Sequence, residues 1–133
     1  MDGIKEMKKS TYLEKGLKLK LSENISAKIN QQSSFANFSP KEIILLEGVK
    51  ATNLYFIIKG IVRGYYIDES GNDITKYFSS ENEFFSTETL RTGSASTFAI
   101  ECIEDCQCIK LPYTLVLEIM EEDKAIKDFF TQY

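Results

Sequence analysis

The sequence predicts a mainly β protein, an antiparallel sandwich or roll with helices on its flanks. Short runs of β-branched and aromatic residues, separated by turn-forming residues, recur from residue 35 to about residue 111. Before and after this region the apolar residues recur at helical spacing. No helical segment separates the runs before Phe85, although a parallel sheet requires crossover connections. These observations favour an antiparallel fold over a parallel α/β sheet.

Composition indicates one globular domain. The chain has 133 residues, 43% of them hydrophobic, which is enough apolar mass for a single core. No apolar run approaches the roughly 20 residues that span a bilayer, and the first residues lack the apolar segment of a signal peptide. We therefore expect a soluble, cytoplasmic protein that does not enter a membrane.

Charge and histidine content limit the classes of function. The first twenty residues carry six lysines against three carboxylates, whereas the whole chain has a net charge of −4. The body is therefore acidic and would repel nucleic-acid phosphates. The chain contains no histidine, which excludes serine and cysteine nucleophiles paired with histidine and histidine-based metal sites. We expect no enzyme, no metal and no cofactor.

Residues 1–34 are predicted to form a helical leader that covers the body. Its apolar residues recur every four positions, and Ser22 is a plausible N-cap for a second helical piece ending near Gln31. The stripe comprises Leu13, Leu17, Leu21, Ile25 and Ile29. A basic membrane-surface helix over residues 5–20 is the alternative, and it is disfavoured because the apolar face there is thin.

Eight short strands are predicted between the helical ends. The most β-branched and aromatic run, residues 54–67, reads as two core strands with a corner at Gly60. The predicted strands are 35–38, 42–47, 54–59, 61–67, 74–78, 83–85, 97–103 and 107–111.

The last 22 residues return to helical spacing. Pro112 fits a first helical position, the following apolar face is formed by Leu115, Val116, Ile119 and Met120, and Asp123 caps a further helix. In that helix an apolar stripe predicts a dimer interface, although a helix folded back on its own roll would use the same residues. The stripe is Ile126, Phe129, Phe130 and Tyr133. Because the pattern stops in mid-helix, we expect the natural protein to continue.

The run Glu47-Gly48-Val49-Lys50-Ala51-Thr52-Asn53-Leu54-Tyr55-Phe56-Ile57-Ile58-Lys59-Gly60 resembles the signature of a known family. It is similar to the cyclic-nucleotide-binding domain of Crp-Fnr type bacterial transcription regulators. That family has an acidic or polar residue and Gly, a short polar loop, and an aromatic-rich strand ending in Lys or Glu followed by Gly. The likeness continues over roughly residues 35–130.

The resemblance implies a fold and a domain order. The fold would be a jelly-roll-like β-roll, an antiparallel double-stranded β-helix, with an N-terminal helix and a C-terminal dimerisation helix. Residues 35–111 would be the roll, with a short cassette helix near residues 86–91. Residues 112–133 would be the closing helix and the start of the dimerisation helix. In the family a DNA-binding domain follows, and these 133 residues do not contain one.

The resemblance also places a candidate ligand site. In the family a strand turns into a short helix whose backbone N–H groups face a cyclic phosphate, an Arg neutralises the phosphate, and a Gly-Glu pair holds the ribose hydroxyl. Here Ser86-Thr87 stands for Gly-Glu, with Glu88 one residue late, and Ala95-Ser96 or Ser96-Thr97 replaces the Arg pair. We therefore expect no cyclic AMP binding in the usual manner.

The candidate ligand-binding residues are the polar residues of this cassette. Arg91 could approach the ligand from the helix instead, or it could be a solvated charge at a helix end among ordinary turn residues. The full set is Ser86, Thr87, Glu88, Thr89, Arg91, Ser94, Ser96 and Thr97.

The cysteines are predicted to be structural. Cys102, Cys106 and Cys108 lie on and between two predicted strands, they are odd in number, and there is no export signal, so a disulfide framework is disfavoured. Three thiolates could begin a metal site, but a fourth ligand is missing. We expect buried, free thiols.

Together these patterns predict the effector-sensing domain of a Crp-Fnr type regulator. Its expected partners are a small anionic or nucleotide-like effector, a second copy of the chain, and DNA only through a C-terminal domain outside this sequence. The alternatives are a cupin-like small-molecule binding protein or enzyme, and a dimerisation or interaction module that binds no ligand.

Overall fold

The computed structural model describes residues 7–132 and shows the predicted β-roll with helices on its flanks. Two helices lead into the roll, one short helix interrupts it, and two helices close it. The elements are α1 (Lys9–Leu17), α2 (Glu23–Gln32), β1 (Ser34–Phe38), β2 (Ile43–Leu45), β3 (Asn53–Ile67), β4 (Asp73–Ser79), β5 (Phe84–Phe85), α3 (Glu88–Thr92), β6 (Ala99–Pro112), α4 (Tyr113–Glu122) and α5 (Lys124–Gln132).

Two long antiparallel strands, β3 and β6, form the spine of the sheet. The strand order is β1-β6-β3-β4, with β2 paired to β6 and β5 paired to β3. Four of the eight predicted strands are halves of this spine, since 54–59 joins 61–67 and 97–103 joins 107–111. Gly60 does form a corner, with φ +115, but the register shifts there and the pairing continues on both sides. The prediction of eight separate strands was therefore wrong.

The core has two apolar clusters on opposite sides of β3. Leu54 and Phe56 face the flanking helices and pack with residues of the predicted leader stripe, including Leu13, Ile25 and Ile29. On the other side, the interior of the roll contains Ile57, Val62, Phe85, Ile100 and the three cysteines. This alternation along β3 follows from strand geometry, in which successive side chains point to opposite faces.

The helical layer is fixed by caps and by polar contacts between helices. The Ser22 hydroxyl accepts the Ile25 N–H at 3.2 Å, so Ser22 is the predicted N-cap of α2. Lys28 on α2 forms ion pairs with Glu118, at 3.3 Å, and with Glu122, both on α4. Asp123 accepts the Ile126 N–H at 3.2 Å and caps α5, as predicted. Pro112, however, ends β6 with extended ψ of 141° instead of starting α4.

The apolar stripe of α5 packs against the roll of its own chain. Ile126, Phe129 and Phe130 are half-buried against the helical-side cluster, and the Phe84 ring lies 6.3 and 5.2 Å from the two phenylalanine rings. The sequence allowed two uses of this stripe, a dimer interface and a helix folded back on its own roll, and the structure shows the folded-back helix. Tyr133, the fourth residue of the predicted stripe, lies outside the described residues. Within residues 7–132, no helix is long and apolar enough to cross a membrane.

Candidate ligand-binding site

A polar cleft of about 760 Å³ opens between the inner face of the roll and α3. Its volume is in the range of small-molecule sites, about 300–1,000 Å³. Seven of the eight predicted site residues line it, while Ser94 lies in the loop beyond α3 and does not. The seven are Ser86, Thr87, Glu88, Thr89, Arg91, Ser96 and Thr97. The structure therefore brings the predicted cassette together around one cavity.

The cassette begins with a sharp change of chain direction after β5. Phe84 and Phe85 are buried, and Ser86 then adopts a left-handed conformation with φ +65. A residue other than glycine at such a φ is strained by roughly 1–2 kcal/mol. Thr87 is the N-cap of α3, which starts at Glu88, two residues later than the predicted position, and Gly93, with φ +74, is its C-cap.

Glu88 is hydrogen-bonded to Thr97, in the loop between α3 and β6. Its carboxylate accepts the Thr97 N–H at 2.9 Å and the Thr97 hydroxyl at 2.8 Å, and the Ser96 hydroxyl lies at 3.5 Å. Hydrogen bonds to a carboxylate are stronger than neutral ones. The donors of Thr97, where the resemblance places the Arg pair, thus face a carboxylate of this chain.

Other hydroxyls of the cassette fix the loop itself. Thr89 Oγ1 accepts the Ala51 N–H at 3.1 Å and donates to the Ser94 carbonyl at 2.8 Å. Thr92 donates to the Glu88 carbonyl at 2.9 Å. The bonds to the Ser94 and Glu88 carbonyls are local side-chain to backbone bonds, which are typical of turns and helix ends. The bond from Ala51 instead joins the cassette helix to the segment before β3.

The two arginines differ in their relation to the cleft. Arg91 is exposed near the end of α3, lines the cleft, and forms no ion pair with any residue in the range 7–132. The Arg63 guanidinium does not line the cleft and binds Asp73, at 2.6 and 2.7 Å, and Glu101, at 2.7 Å. Hydrogen bonding to Asp73 and then to Glu101 raises the pKa of Arg63. Its charge is therefore neutralised by its own neighbours.

Two aromatic residues of the cleft were missed from the sequence. Tyr77 and Phe98 line it with ring centroids 6.1 Å apart. A Cβ on Gly64 would lie 2.1 Å from the Tyr77 ring, so the ring packs directly on this glycine. Burial, with a contribution from the nearby Glu88 charge, raises the pKa of Tyr77. The alternation of β4 could have indicated Tyr77, since Tyr77 and Ser79 share the inner face.

The cysteines are buried, free thiols, as predicted. Cys102, Cys106 and Cys108 are at most 3% exposed and belong to the core inside the roll. Burial raises the pKa of both Cys102 and Cys108 to about 12. In the part of the chain that the structure describes, no group of three or more His, Cys, Asp or Glu side chains could hold a metal.

Comparison with known families identifies the domain. The family model described as the cyclic nucleotide-binding domain matches residues 35–123, which is most of the chain. The chain belongs to the cyclic nucleotide-binding domain family. The match covers every strand from β2 to β6, the cassette helix and α4. By sequence alone, no curated protein matches significantly.

Solved structures of sensor domains and regulatory subunits share this fold. The sensor domain of the transcriptional regulator DNR from Pseudomonas aeruginosa has a TM-score of 0.73 at 14% identity, over 87% of this chain and 75% of that one. A regulatory subunit of a cAMP-independent protein kinase A from Trypanosoma cruzi, bound to guanosine, has a TM-score of 0.67 at 18% identity, over 77% and 37%.

A third neighbour is the corresponding subunit from Trypanosoma brucei, in a variant with three substitutions, one of them threonine to arginine, and bound to cAMP. Its TM-score is 0.67 at 17% identity, over 85% of this chain and 43% of that one. The domain described here spans about half the length, or less, of several chains that it matches. These neighbours are regulatory or sensor domains.

Proposed function

We propose that this chain is the effector-sensing domain of a Crp-Fnr type transcription regulator, and that its cleft does not bind cyclic AMP in the usual manner. The observation that carries this proposal is the pairing of Glu88 with Thr97. Thr97 stands where the resemblance places the Arg pair, and it is hydrogen-bonded to the Glu88 carboxylate, so this part of the cleft offers a phosphate a negative charge and no cation.

The energetic cost of this arrangement is considerable. Loss of a charged hydrogen bond typically costs about 1.5–3 kcal/mol. Repulsion between a phosphate and a carboxylate about 4 Å apart adds about 1 kcal/mol in water and about 4 kcal/mol near a protein surface. A combined cost of about 3 kcal/mol weakens binding roughly a hundredfold.

Two of the structural neighbours support the proposal that the effector of this domain is not a cyclic nucleotide. The T. cruzi subunit is described as cAMP-independent and is bound to guanosine, which has no phosphate. The T. brucei variant bound to cAMP carries an arginine in place of a threonine. The regulator assignment is supported by the resemblance of residues 47–60 and by the likeness to the DNR sensor domain, three quarters of which this chain covers.

The contacts of the cassette with α4 and α5 suggest how a ligand-induced movement of the cleft would be transmitted to the C-terminal helices. The Tyr113 hydroxyl, at the start of α4, donates to the Ser86 carbonyl. A small cavity of about 180 Å³ lies between Leu90 and Arg91 on one side and Met120 and Phe130 on the other. A ligand that moves α3 would therefore displace α4 and α5, which adjoin the dimerisation helix of the proposed regulator.

The cleft proposal is tested by thermal shift. Wild type should show no shift with cyclic AMP or cyclic GMP, whereas Glu88→Ala/Thr97→Arg should be stabilised by both, because a cation replaces the carboxylate. Glu88→Ala/Ser94→Arg is the matched control, since it has the same net charge but places the new arginine outside the cleft, and it should respond less than Glu88→Ala/Thr97→Arg. A wild-type shift equal to that of the double variant would contradict the proposal.

The homodimer of the proposed regulator is tested by sedimentation equilibrium. The expected mass is twice that of the chain, and Leu117→Ser, which removes an apolar side chain 50% exposed on α4, should weaken the dimer. A monomer at all protein concentrations would contradict this part of the proposal, and the domain would then act without a second copy.

A further inference from the structure

The helical layer contains a second cavity, which differs from the cleft in position and in chemistry. It has a volume of about 210 Å³ and lies between the four flanking helices and the side of the sheet that faces them, where β3, β5 and β6 contribute to its wall. Of the sixteen described residues that line it, fourteen are apolar, and Phe84 also borders the cleft. We call this cavity the apolar chamber.

Among the described residues, only Lys20 and Asp123 bring a polar side chain to the chamber. Lys20 is exposed, and the Asp123 carboxylate accepts the Ile126 N–H at 3.2 Å as the cap of α5. A buried water needs about two to four polar partners, whereas an apolar cavity of about 150 Å³ lined by Leu, Ile and Phe stays dry and binds benzene. The chamber has the same kinds of wall residue and is larger, so an apolar molecule suits it better than water.

The apolar stripe of α5 forms one wall of the chamber. Ile126, Phe129 and Phe130 pack against the helical-side cluster and line the chamber, and no described residue of α5 is fully buried. The stripe therefore borders the chamber as well as the roll. Because removing apolar surface from water is favourable, a molecule that fills the chamber would bury more of this stripe and strengthen the contact of α5 with the roll.

We propose that the apolar chamber binds a small neutral apolar molecule, one or two rings in size, and that the bound molecule holds α5 against the roll. The size follows from the volume, since a smaller apolar cavity already accepts benzene. Neutrality follows from the wall, because Lys20 and Asp123 carry opposite charges and an ion among the other side chains would be buried without a partner. The inference does not depend on what the cleft binds.

Calorimetric titration of indole, a neutral probe with two rings, tests the site. We expect wild type to bind indole at least about tenfold more tightly than indole-3-carboxylate, because only the carboxylate brings a charge into the chamber. Ala125→Phe adds a ring at the wall of the chamber and should weaken indole binding at least about tenfold. Ala27→Phe is the matched control, because Ala27 is likewise exposed on a helix but does not line the chamber, and it should leave the affinity unchanged.

Two further variants distinguish the chamber from the rest of the molecule. Leu17→Phe enlarges a wall residue from α1 and should also weaken indole binding, while circular dichroism verifies that the variants keep the fold. Glu88→Ala/Thr97→Arg changes only the cleft and should bind indole as wild type does. Absence of indole binding to wild type, binding unchanged in both Ala125→Phe and Leu17→Phe, or binding lost in the cleft variant would overturn this inference and leave the proposed function standing.

Limited proteolysis tests the effect of the ligand on α5. Lys124 and Lys127 are exposed on α5, and trypsin cleaves after them when the helix opens locally. Indole at about ten times its dissociation constant should slow this cleavage about tenfold in wild type. The same concentration should leave the rate unchanged in Ala125→Phe, which excludes inhibition of trypsin itself. An unchanged rate in wild type would overturn the claim that the ligand holds α5.

Discussion

The hydroxyl of Tyr113, the first residue of α4, donates a hydrogen bond to the backbone carbonyl of Ser86, the first residue of the cassette. Ser86 is buried and held in a left-handed conformation, so the bond joins the most strained point of the cleft to the first of the closing helices. It is a direct connection between the site and the C-terminal part of the chain.

Removing the hydrogen bond between Tyr113 and Ser86 should lower the stability of the fold. Tyr113→Phe leaves the Ser86 carbonyl without its donor, and we expect the free energy of unfolding to fall by about 1 kcal/mol in urea denaturation. Tyr12→Phe is the matched control, because Tyr12 packs on the same core through its ring, and its hydroxyl has no hydrogen-bond partner among residues 7–132. Equal stabilities of the two variants would show that the Tyr113 bond adds nothing.

Tyr113 should also make the stability of the fold decrease at alkaline pH. Burial raises the pKa of Tyr113 above its ordinary value of 10.0. The unfolded chain therefore ionises first, and the stabilisation by Tyr113, complete below pH 10, is lost as the pH rises further. Unfolding of wild type should become easier above pH 10 by more than that of Tyr113→Phe.

The strain at Ser86 predicts opposite results for two small substitutions. Ser86→Gly relieves the strain of the left-handed conformation, whereas Ser86→Ala keeps it, and both variants lose the hydroxyl. We expect the glycine variant to be more stable than the alanine variant by about 1 kcal/mol, measured by urea denaturation. Equal or reversed stabilities would show that the left-handed conformation of residue 86 costs no measurable strain.

The contact between Gly64 and Tyr77 predicts a paired effect. Gly64→Ala places a Cβ 2.1 Å from the Tyr77 ring and should displace it, at a cost of about 1–3 kcal/mol in stability. Gly64→Ala in a Tyr77→Ala background has no ring to displace, so its cost there should be smaller, as a double-mutant cycle would measure. Additive costs would show that the ring already accommodates a methyl group.

The core thiols predict a loss of stability at alkaline pH. Their folded pKa of about 12 exceeds the ordinary value of 9.0 for Cys102 and Cys108, so the unfolded chain binds fewer protons above pH 9. Stability is therefore intact below pH 9 and falls as the pH rises toward 12. The urea concentration at the unfolding midpoint should decrease less steeply with pH for Cys102→Ala/Cys108→Ala than for wild type. An equal decrease with pH in both proteins would show that the two thiols do not cause the loss of stability.

The sequence predicted the fold because its signals are local and repeated. Helical spacing marked α1, α2 and α4, alternation marked the strands, and Gly48 and Gly60 marked turns that the roll requires. The continuity of β3 and β6 was missed, because a bend at a glycine and a shift of register interrupt the alternation without ending the strand.

The site was only partly predictable. The cassette could be located, since residues 84–99 follow one another in the chain. The pairing of Glu88 with Thr97 could not, because it depends on the path of the loop between α3 and β6. Tyr77 lies on β4 and Phe98 in the loop just before β6, and only the fold of the roll brings them together.

The central claim is that Glu88 and the missing arginine keep cyclic nucleotides out of the cleft. It is tested most directly by calorimetric titration of cyclic AMP into wild type and into Glu88→Ala/Thr97→Arg. The account predicts that the double variant binds roughly a hundredfold more tightly than wild type, in line with about 3 kcal/mol of recovered interaction. Equal affinity of the two proteins for cyclic AMP would contradict it.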